Sequence, residues 1–131
     1  MKTVNELVNV LSEKFQFVSR LERVNCQGNA YAEAYKFNHL VTVCGCPFLL
    51  SITVGRFYRD GSIYFDVADR FSGYPFSDFN MNDYADYVSY VTGKSAAACK
   101  RMAPALKREI EAVDRYLFDL FKSFDHVLEA A

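Results

Sequence analysis

The chain has 131 residues, of which 51% are hydrophobic and 24% charged, so it can bury a hydrophobic core and is neither disordered nor collagen-like. Its 15 basic and 16 acidic residues give a net charge of −1, which argues against a dedicated binder of nucleic-acid phosphates. No apolar run approaches the ~20 residues that cross a bilayer, and the start MKTVNELVNV lacks the apolar stretch of a signal peptide. We therefore expect a single cytoplasmic domain over residues 1–131.

The first predicted element is an amphipathic helix over residues 4–15. Thr3 and Glu6 have the spacing of a capping box. Apolar residues follow at helical spacing on one face: Val4, Leu7, Val8, Leu11 and Phe15. The same stripe extends through Val18 and Leu21, so the pattern also allows a longer helix. Gly28 and Asn29 then predict a break in the chain.

Residues 30–68 are predicted to form a three- or four-stranded antiparallel meander with one apolar face. Residues 30–37 alternate and residues 40–44 are short and β-branched, which is typical of two strands, with a break after them at Gly45-Cys46-Pro47. Apolar and polar residues alternate again over 48–55 and over 62–67. Asp60 and Gly61, between these two segments, are typical of a hairpin turn.

Two helices are predicted after a loop over residues 69–82. Asn82 can cap a short helix that ends at Gly93 and has these residues on its apolar face: Tyr84, Tyr87, Val88 and Val91. Ser95 then opens a long helix in which Pro104 is either a kink or the first residue of a new helix. Its apolar stripe comprises Cys99, Met102, Leu106, Ile110, Val113, Leu117, Leu120, Phe121, Phe124 and Leu128.

This order predicts an α+β fold: an N-terminal helix, a three- to four-stranded antiparallel meander, a short helix and a long C-terminal helix. We expect the first and last helices to cover the apolar face of the sheet, because an apolar sheet face needs a cover. The stripe of the last helix also holds a spacing near 3.5 residues, which would allow it to pair with a second copy of the chain.

The sequence contains no motif typical of an enzyme or of a metal site. Four cysteines lack the second spaced pair of a structural zinc site and are expected to be buried free thiols: Cys26, Cys44, Cys46 and Cys99. His39 and His126 have no nucleophile at a recognised spacing, and the six glycines form no phosphate-binding loop. We therefore expect no catalytic residue, no metal and no cofactor.

Charge is distributed unevenly along the chain. Seven basic and four acidic residues give +3 over residues 1–59, whereas six aspartates against Arg70 give −5 over residues 60–92. Nine of the 27 residues in the segment 64–90 are aromatic. We predict that this acidic–aromatic segment contacts a partner through Asp66, Asp69, Tyr74, Asp78, Phe79, Asp83, Tyr84, Asp86 and Tyr87. The alternative is a satellite core of the aromatic residues beneath the loop, with the aspartates in solvent.

These patterns favour a non-catalytic protein-binding module, an inhibitor or adaptor that masks a basic, nucleic-acid-binding surface of a protein partner, as a nucleic-acid mimic does. Basic residues between 94 and 115 are interspersed with Glu109 and Glu111, so no direct contact with nucleic acid is expected. The dense use of Tyr, Phe and Asp and the short length are similar to small phage-encoded inhibitors of bacterial defence, the anti-CRISPR-like proteins. Two alternatives stay open: a small-ligand or enzymatic domain with a pocket between the sheet and the loop 69–82, and a secretion-chaperone-like or structural homodimer.

Overall fold

The computed structural model of the chain describes residues 4–26, 29–57, 62–70 and 75–123. Its elements are α1 (Val4–Lys14), β1 (Gln16–Cys26), β2 (Asn29–Val43), β3 (Cys46–Phe57), β4 (Ile63–Asp69), a 3₁₀ turn (Phe76–Asp78), α2 (Met81–Thr92) and α3 (Ala96–Ser123). The predicted α+β class and the order of helix, antiparallel sheet and two helices are confirmed. The predicted capping residue Thr3, the hairpin residues Asp60 and Gly61, and the stripe residues Phe124 and Leu128 lie outside the described residues.

The four strands form one antiparallel sheet in the order β1-β2-β3-β4. Side chains alternate between its two faces, and the predicted apolar positions of β3 are buried on the face that the helices cover: Phe48, Leu50, Ile52 and Val54. Cross-strand partners share a face, so Phe37, Val67 and Phe65 point to the same side. The alternation in the sequence therefore identified the core face of β3 and β4.

The suggestion that the first helix continues to residue 21 is wrong. α1 ends at Lys14, and the chain enters β1 at Gln16, which pairs with β2. Apolar residues at 15, 18 and 21 fit a helix, but pairing with the distant segment 29–38 satisfies the backbone in an extended conformation instead. The sheet therefore begins about fourteen residues earlier than the predicted start at residue 30.

The two strands predicted over residues 30–44 are one 15-residue strand, β2. The turn to β3 consists of Cys44 and Gly45, with φ values of 50° and 78°, which is the pair of positive φ angles of a two-residue type I′ hairpin. The predicted break at Gly45-Cys46-Pro47 is therefore one residue too late, since Cys46 and Pro47 belong to β3. Cys44 is exposed at this turn, contrary to the expectation of a buried thiol, whereas Cys99 is buried. The side chain of Cys26 lies outside the described residues.

The helices cover one face of the sheet. Asn80, and not Asn82, caps α2, because its side chain accepts a hydrogen bond from the backbone N–H of Asp83 (2.8 Å). Gly93 ends α2 in the left-handed conformation as predicted, and Ser95 accepts from the N–H of Ala98 at the start of α3 (3.3 Å). No helix among the described residues is long and apolar enough to cross a membrane.

α3 runs without interruption from Ala96 to Ser123, with Pro104 inside it. Its apolar stripe is buried in the core that the helices share with the sheet: Cys99, Met102, Leu106, Ile110, Val113 and Leu117. This stripe therefore covers the sheet, which is the favoured interpretation of its spacing. A homodimer through the C-terminal helix stays a prediction, and it would use the exposed side of α3, where Phe118 lies.

Candidate functional site

Five carboxylates from three elements gather along the outer edge of the sheet, and we call this surface the acidic face: Asp66 of β4, Asp78 of the 3₁₀ turn, and Glu111, Asp114 and Asp119 of α3. The charge of Asp78 acts on Asp66, and the charges of Asp66 and Glu111 act on Asp114. Glu111, Asp114 and Asp119 line one open cleft. Asp66, Asp78, Glu111 and Asp114 thus form one electrostatic group, and Asp119 lines the same cleft as two of them.

The acidic face carries an electrostatic cost in the folded chain. Burial, and then the charge of Asp78, raises the pKa of Asp66. Burial also raises the pKa of Asp114, with further contributions from Asp66 and Glu111. Both carboxylates are therefore less stable in their charged form than they would be in an unfolded chain.

Few basic groups neutralise the acidic face. Among the described residues, none of Asp66, Asp78, Asp114 and Asp119 has a basic nitrogen within 4 Å. Glu111 lies 3.7 Å from Lys107 in an exposed pair, and Arg115 shares the cleft with the acidic residues. Five carboxylates against these two cations leave the face with an excess of negative charge.

An apolar groove continues the acidic cleft toward the start of β4. The acidic cleft has a volume of about 530 Å³ and includes Phe65 and Phe118 in its lining. The same two phenylalanines line the neighbouring groove of about 340 Å³, together with Ile63, Tyr64 and Phe121. The two cavities adjoin at these phenylalanines between β4 and α3, and we call them together the β4–α3 groove.

The predicted tyrosines do not belong to this surface. Tyr84 and Tyr87 are buried because their spacing places them on the inner side of α2, where they pack against Phe76 with ring centroids 6.1 and 5.4 Å away. Phe79 is half-buried beside Tyr84 (5.2 Å). Phe76, Tyr84 and Tyr87 therefore belong to the same core as the sheet residues, with Phe79 packed against it, and the assignment of the two tyrosines to partner contact stays a prediction.

The hydroxyl of Tyr87 links this aromatic core to a buried aspartate. The hydroxyl of Tyr87 donates a hydrogen bond to the carboxylate of Asp69, which is itself buried. Burial of Tyr87, together with the charge of that carboxylate, raises the pKa of Tyr87. Burial, with the charges of Asp114 and Glu111, raises the pKa of Tyr84 to about 12. Asp69, a predicted contact residue, is therefore a structural partner of Tyr87.

The remaining predicted contact residues are divided between several places. Asp78 is exposed on the acidic face, and Asp66 is half-buried there. Asp83 accepts from the backbone N–H of Asn80 (2.9 Å) in the capping box, while Asp86 is exposed elsewhere on α2. Tyr74 lies outside the described residues.

Sequence reasoning missed the contribution of α3 to this surface. Residues 93–115 have six basic and three acidic residues, and this positive sum conceals the arrangement of Glu111, Asp114 and Phe118 at i, i+3 and i+7. That spacing places the three on one stripe, beside the buried stripe of α3. A helical projection of charge, in place of a sum over a window, would have found them.

The described residues do not bring together a cluster of metal ligands. No group of three His, Cys, Asp or Glu side chains among them could hold a metal ion. His39 of β2 and Asp69 of β4 are each paired with Leu50 of β3, so the strand β3 separates these two residues. The ring of His39 packs on the ring of Phe15, with the ring centroids 4.9 Å apart. Comparisons of the chain with protein-family models, curated proteins and solved structures find no match.

Neutralising the half-buried aspartates is expected to stabilise the fold. Asp66→Asn and Asp114→Asn should each raise the free energy of unfolding at pH 7, by less than about 1 kcal/mol because both groups keep solvent contact. With a pKa raised above 3.8, each group favours folding while protonated, and this contribution is lost as pH rises through the folded-state value. Urea titrations at pH 4 and pH 7 should therefore show the gain at pH 7 and little at pH 4. Equal gains at both values would contradict the electrostatic explanation.

Proposed function

We propose that the chain is a non-catalytic protein-binding module that holds a partner with a basic surface against its acidic face. It acts by stoichiometric contact, as an inhibitor or adaptor that masks a nucleic-acid-binding surface of that partner. The observation that carries this proposal is the group of five carboxylates with few counter-charges, two of them made unfavourable by burial. Stability alone gives no reason to keep such a group, and functional sites are where such costs are found.

The β4–α3 groove supports contact with a protein in preference to free cations. Phe118 is 53% exposed and lines the acidic cleft, so a large ring stands beside the carboxylates. Protein–protein interfaces typically have aromatic side chains enriched at their core and charged side chains at their rim. Carboxylate oxygens also present to Arg and Lys the acceptors that phosphates present, which would let the face occupy a nucleic-acid site.

Charge reversal on the exposed part of the acidic face tests the proposal. The partner would be the protein that the wild-type chain retains from an extract of its native host, purified and titrated by calorimetry. Asp78→Lys combined with Asp119→Lys should weaken this binding by about tenfold or more, because rim charges become repulsive. The melting temperature should stay nearly unchanged, since both residues are exposed.

A matched control carries the same change of charge elsewhere. Glu13 and Glu109 are exposed, and their charges act on Tyr116 and His39, beside α1. Glu13→Lys combined with Glu109→Lys should bind the partner nearly as well as the wild type. Equal weakening in both double variants would mean that only net charge matters, and the acidic face would lose its assigned role.

A further inference from the structure

The outer edge of β4 is open beside the β4–α3 groove. β4 is the last strand of the sheet, and the described residues pair with its outer side only at the bridge between Ala68 and Pro75. In the described part of the chain, no strand pairs with the outer side of Ile63 or Phe65, which precede this bridge. An open strand edge is a template for pairing with another chain.

The direction of the backbone groups on this edge follows from one hydrogen bond. The N–H of Phe57 donates to the carbonyl of Ser62 (2.8 Å), so Ser62 directs its backbone groups toward β3. Backbone groups alternate in direction along an antiparallel strand, and the register from Ile63 to Asp69 contains no bulge. Ile63 and Phe65 therefore present their N–H and C=O groups to the open edge.

The same two residues border the apolar half of the groove. Ile63 and Phe65 line it from the sheet, and Phe118 and Phe121 line it from α3. The ring of Phe65 contacts Phe121 at 5.1 Å, which fixes this wall. A strand added to β4 would thus place alternate side chains against exposed aromatic surface while its backbone pairs with the edge.

Charge identifies the chemistry of the occupant. The groove is mainly apolar near Ser62, where Lys122 is the charged residue of its lining, and it is acidic where Phe65 and Phe118 meet Asp114 and Asp119. All strand pairs of this sheet and the bridge on the outer edge of β4 are antiparallel, so the added strand is taken as antiparallel too. Because β4 runs from Ile63 to Asp69, such a strand enters at the acidic end and leaves at the apolar end. Its sequence would therefore have basic residues first and aliphatic or aromatic residues after them.

We propose that β4 receives an extended basic-then-apolar segment of a protein partner, by strand addition at Ile63 and Phe65 with the apolar side chains in the β4–α3 groove. This inference rests on the proposed function and specifies how the partner binds. It differs from contact with a rigid basic surface because backbone hydrogen bonds supply part of the affinity.

A synthetic peptide tests the inference against the full chain. The probe is a capped peptide of four lysines followed by Val-Thr-Val-Phe, with binding followed by fluorescence anisotropy. Two further versions carry N-methyl groups on the backbone nitrogens of every second residue of the apolar half. One version has them on the first and third of these residues, and the other has them on the second and fourth. Strand addition predicts that one version, whose methylated nitrogens face β4, binds about tenfold or more weakly, while the other binds like the parent.

A backbone variant of the chain gives an independent result. Ile63→Pro removes an N–H that faces the open edge and leaves the pairing with β3 intact, and Ile63→Ala removes the same side chain but keeps the N–H. We expect Ile63→Pro to bind the parent peptide several-fold more weakly than Ile63→Ala. Circular dichroism and the melting temperature of the two variants check that both are folded.

The outcomes separate this inference from the proposed function. Equal binding of both methylated peptides, or of the two Ile63 variants, would overturn strand addition even if charge reversal on the acidic face abolished binding. No binding of the parent peptide to the wild-type chain at millimolar concentration would also overturn it. A peptide with glutamates in place of lysines that binds as well as the parent would instead contradict the acidic face as the source of recognition.

Discussion

Replacement of Arg56 by methionine is expected to lower the free energy of unfolding by about 3 kcal/mol. Arg56 donates to both carboxylate oxygens of Glu33, from Nε at 2.6 Å and from Nη2 at 3.1 Å. The Glu33 side chain is 7% exposed, so removal of Arg56 leaves a buried carboxylate without its counter-charge. Hydrogen bonding to Glu33 raises the pKa of Arg56, which agrees with a pair that is charged in the folded chain. Urea unfolding monitored by circular dichroism measures the loss.

A double variant separates the lost pair from lost packing. Glu33→Gln combined with Arg56→Met removes both charges and should recover at least about 1 kcal/mol of the loss, because no buried charge is then left unpaired. If the double variant is as unstable as Arg56→Met alone, the loss comes from the packing of the Arg56 side chain and the ion pair has no special role.

Replacement of Phe76 by alanine is expected to destabilise the chain by about 3 kcal/mol or more. Phe76 is 2% exposed and its ring lies within 6.1 Å of the ring centroids of Phe79, Tyr84 and Tyr87. Removal of this ring opens a cavity at the centre of the aromatic group and detaches the 3₁₀ turn from α2. Because Asp78 lies in that turn, part of the acidic face should lose its position as well.

Tyr90→Ala is the matched control for this prediction. Tyr90 lies on the same helix as Tyr84 and Tyr87 but is 77% exposed, so its loss should change the free energy of unfolding by less than about 0.5 kcal/mol. Similar stability for Phe76→Ala and Tyr90→Ala would show that the aromatic residues of this segment are not core, and the partner-contact interpretation of Tyr84 and Tyr87 would return.

The parts of the fold that could be predicted are those in which local spacing determines burial. The alternation in β3 and the helical spacing of α3 each indicate one face, and Phe48, Leu50 and Leu106 are buried where that spacing places them. β1 was missed because Val18 and Leu21 also fit a helical stripe, and only its pairing with β2 decides between the two conformations. Such pairing is a non-local contact, and the local spacing of apolar residues does not indicate it.

The candidate site was predicted only in part, for a similar reason. Asp66 and Asp78 follow from the charge of their segment, but Asp114 and Asp119 join them only because α3 packs beside β4. Tyr84 and Tyr87 were assigned to the surface although their helical spacing already indicated an apolar, inward face. Composition thus identified the region, and three-dimensional packing determined which of its residues reach solvent.

Zero-length cross-linking tests the central claim most directly. A carbodiimide joins a carboxylate to a lysine only when the two are in contact, so the complex with the partner retained from the native host can be cross-linked and mapped by mass spectrometry. Bonds from Asp66, Asp78, Asp114 or Asp119 to partner lysines are the predicted result. Bonds confined to Glu13 and Glu109, with none from the acidic face, would contradict it.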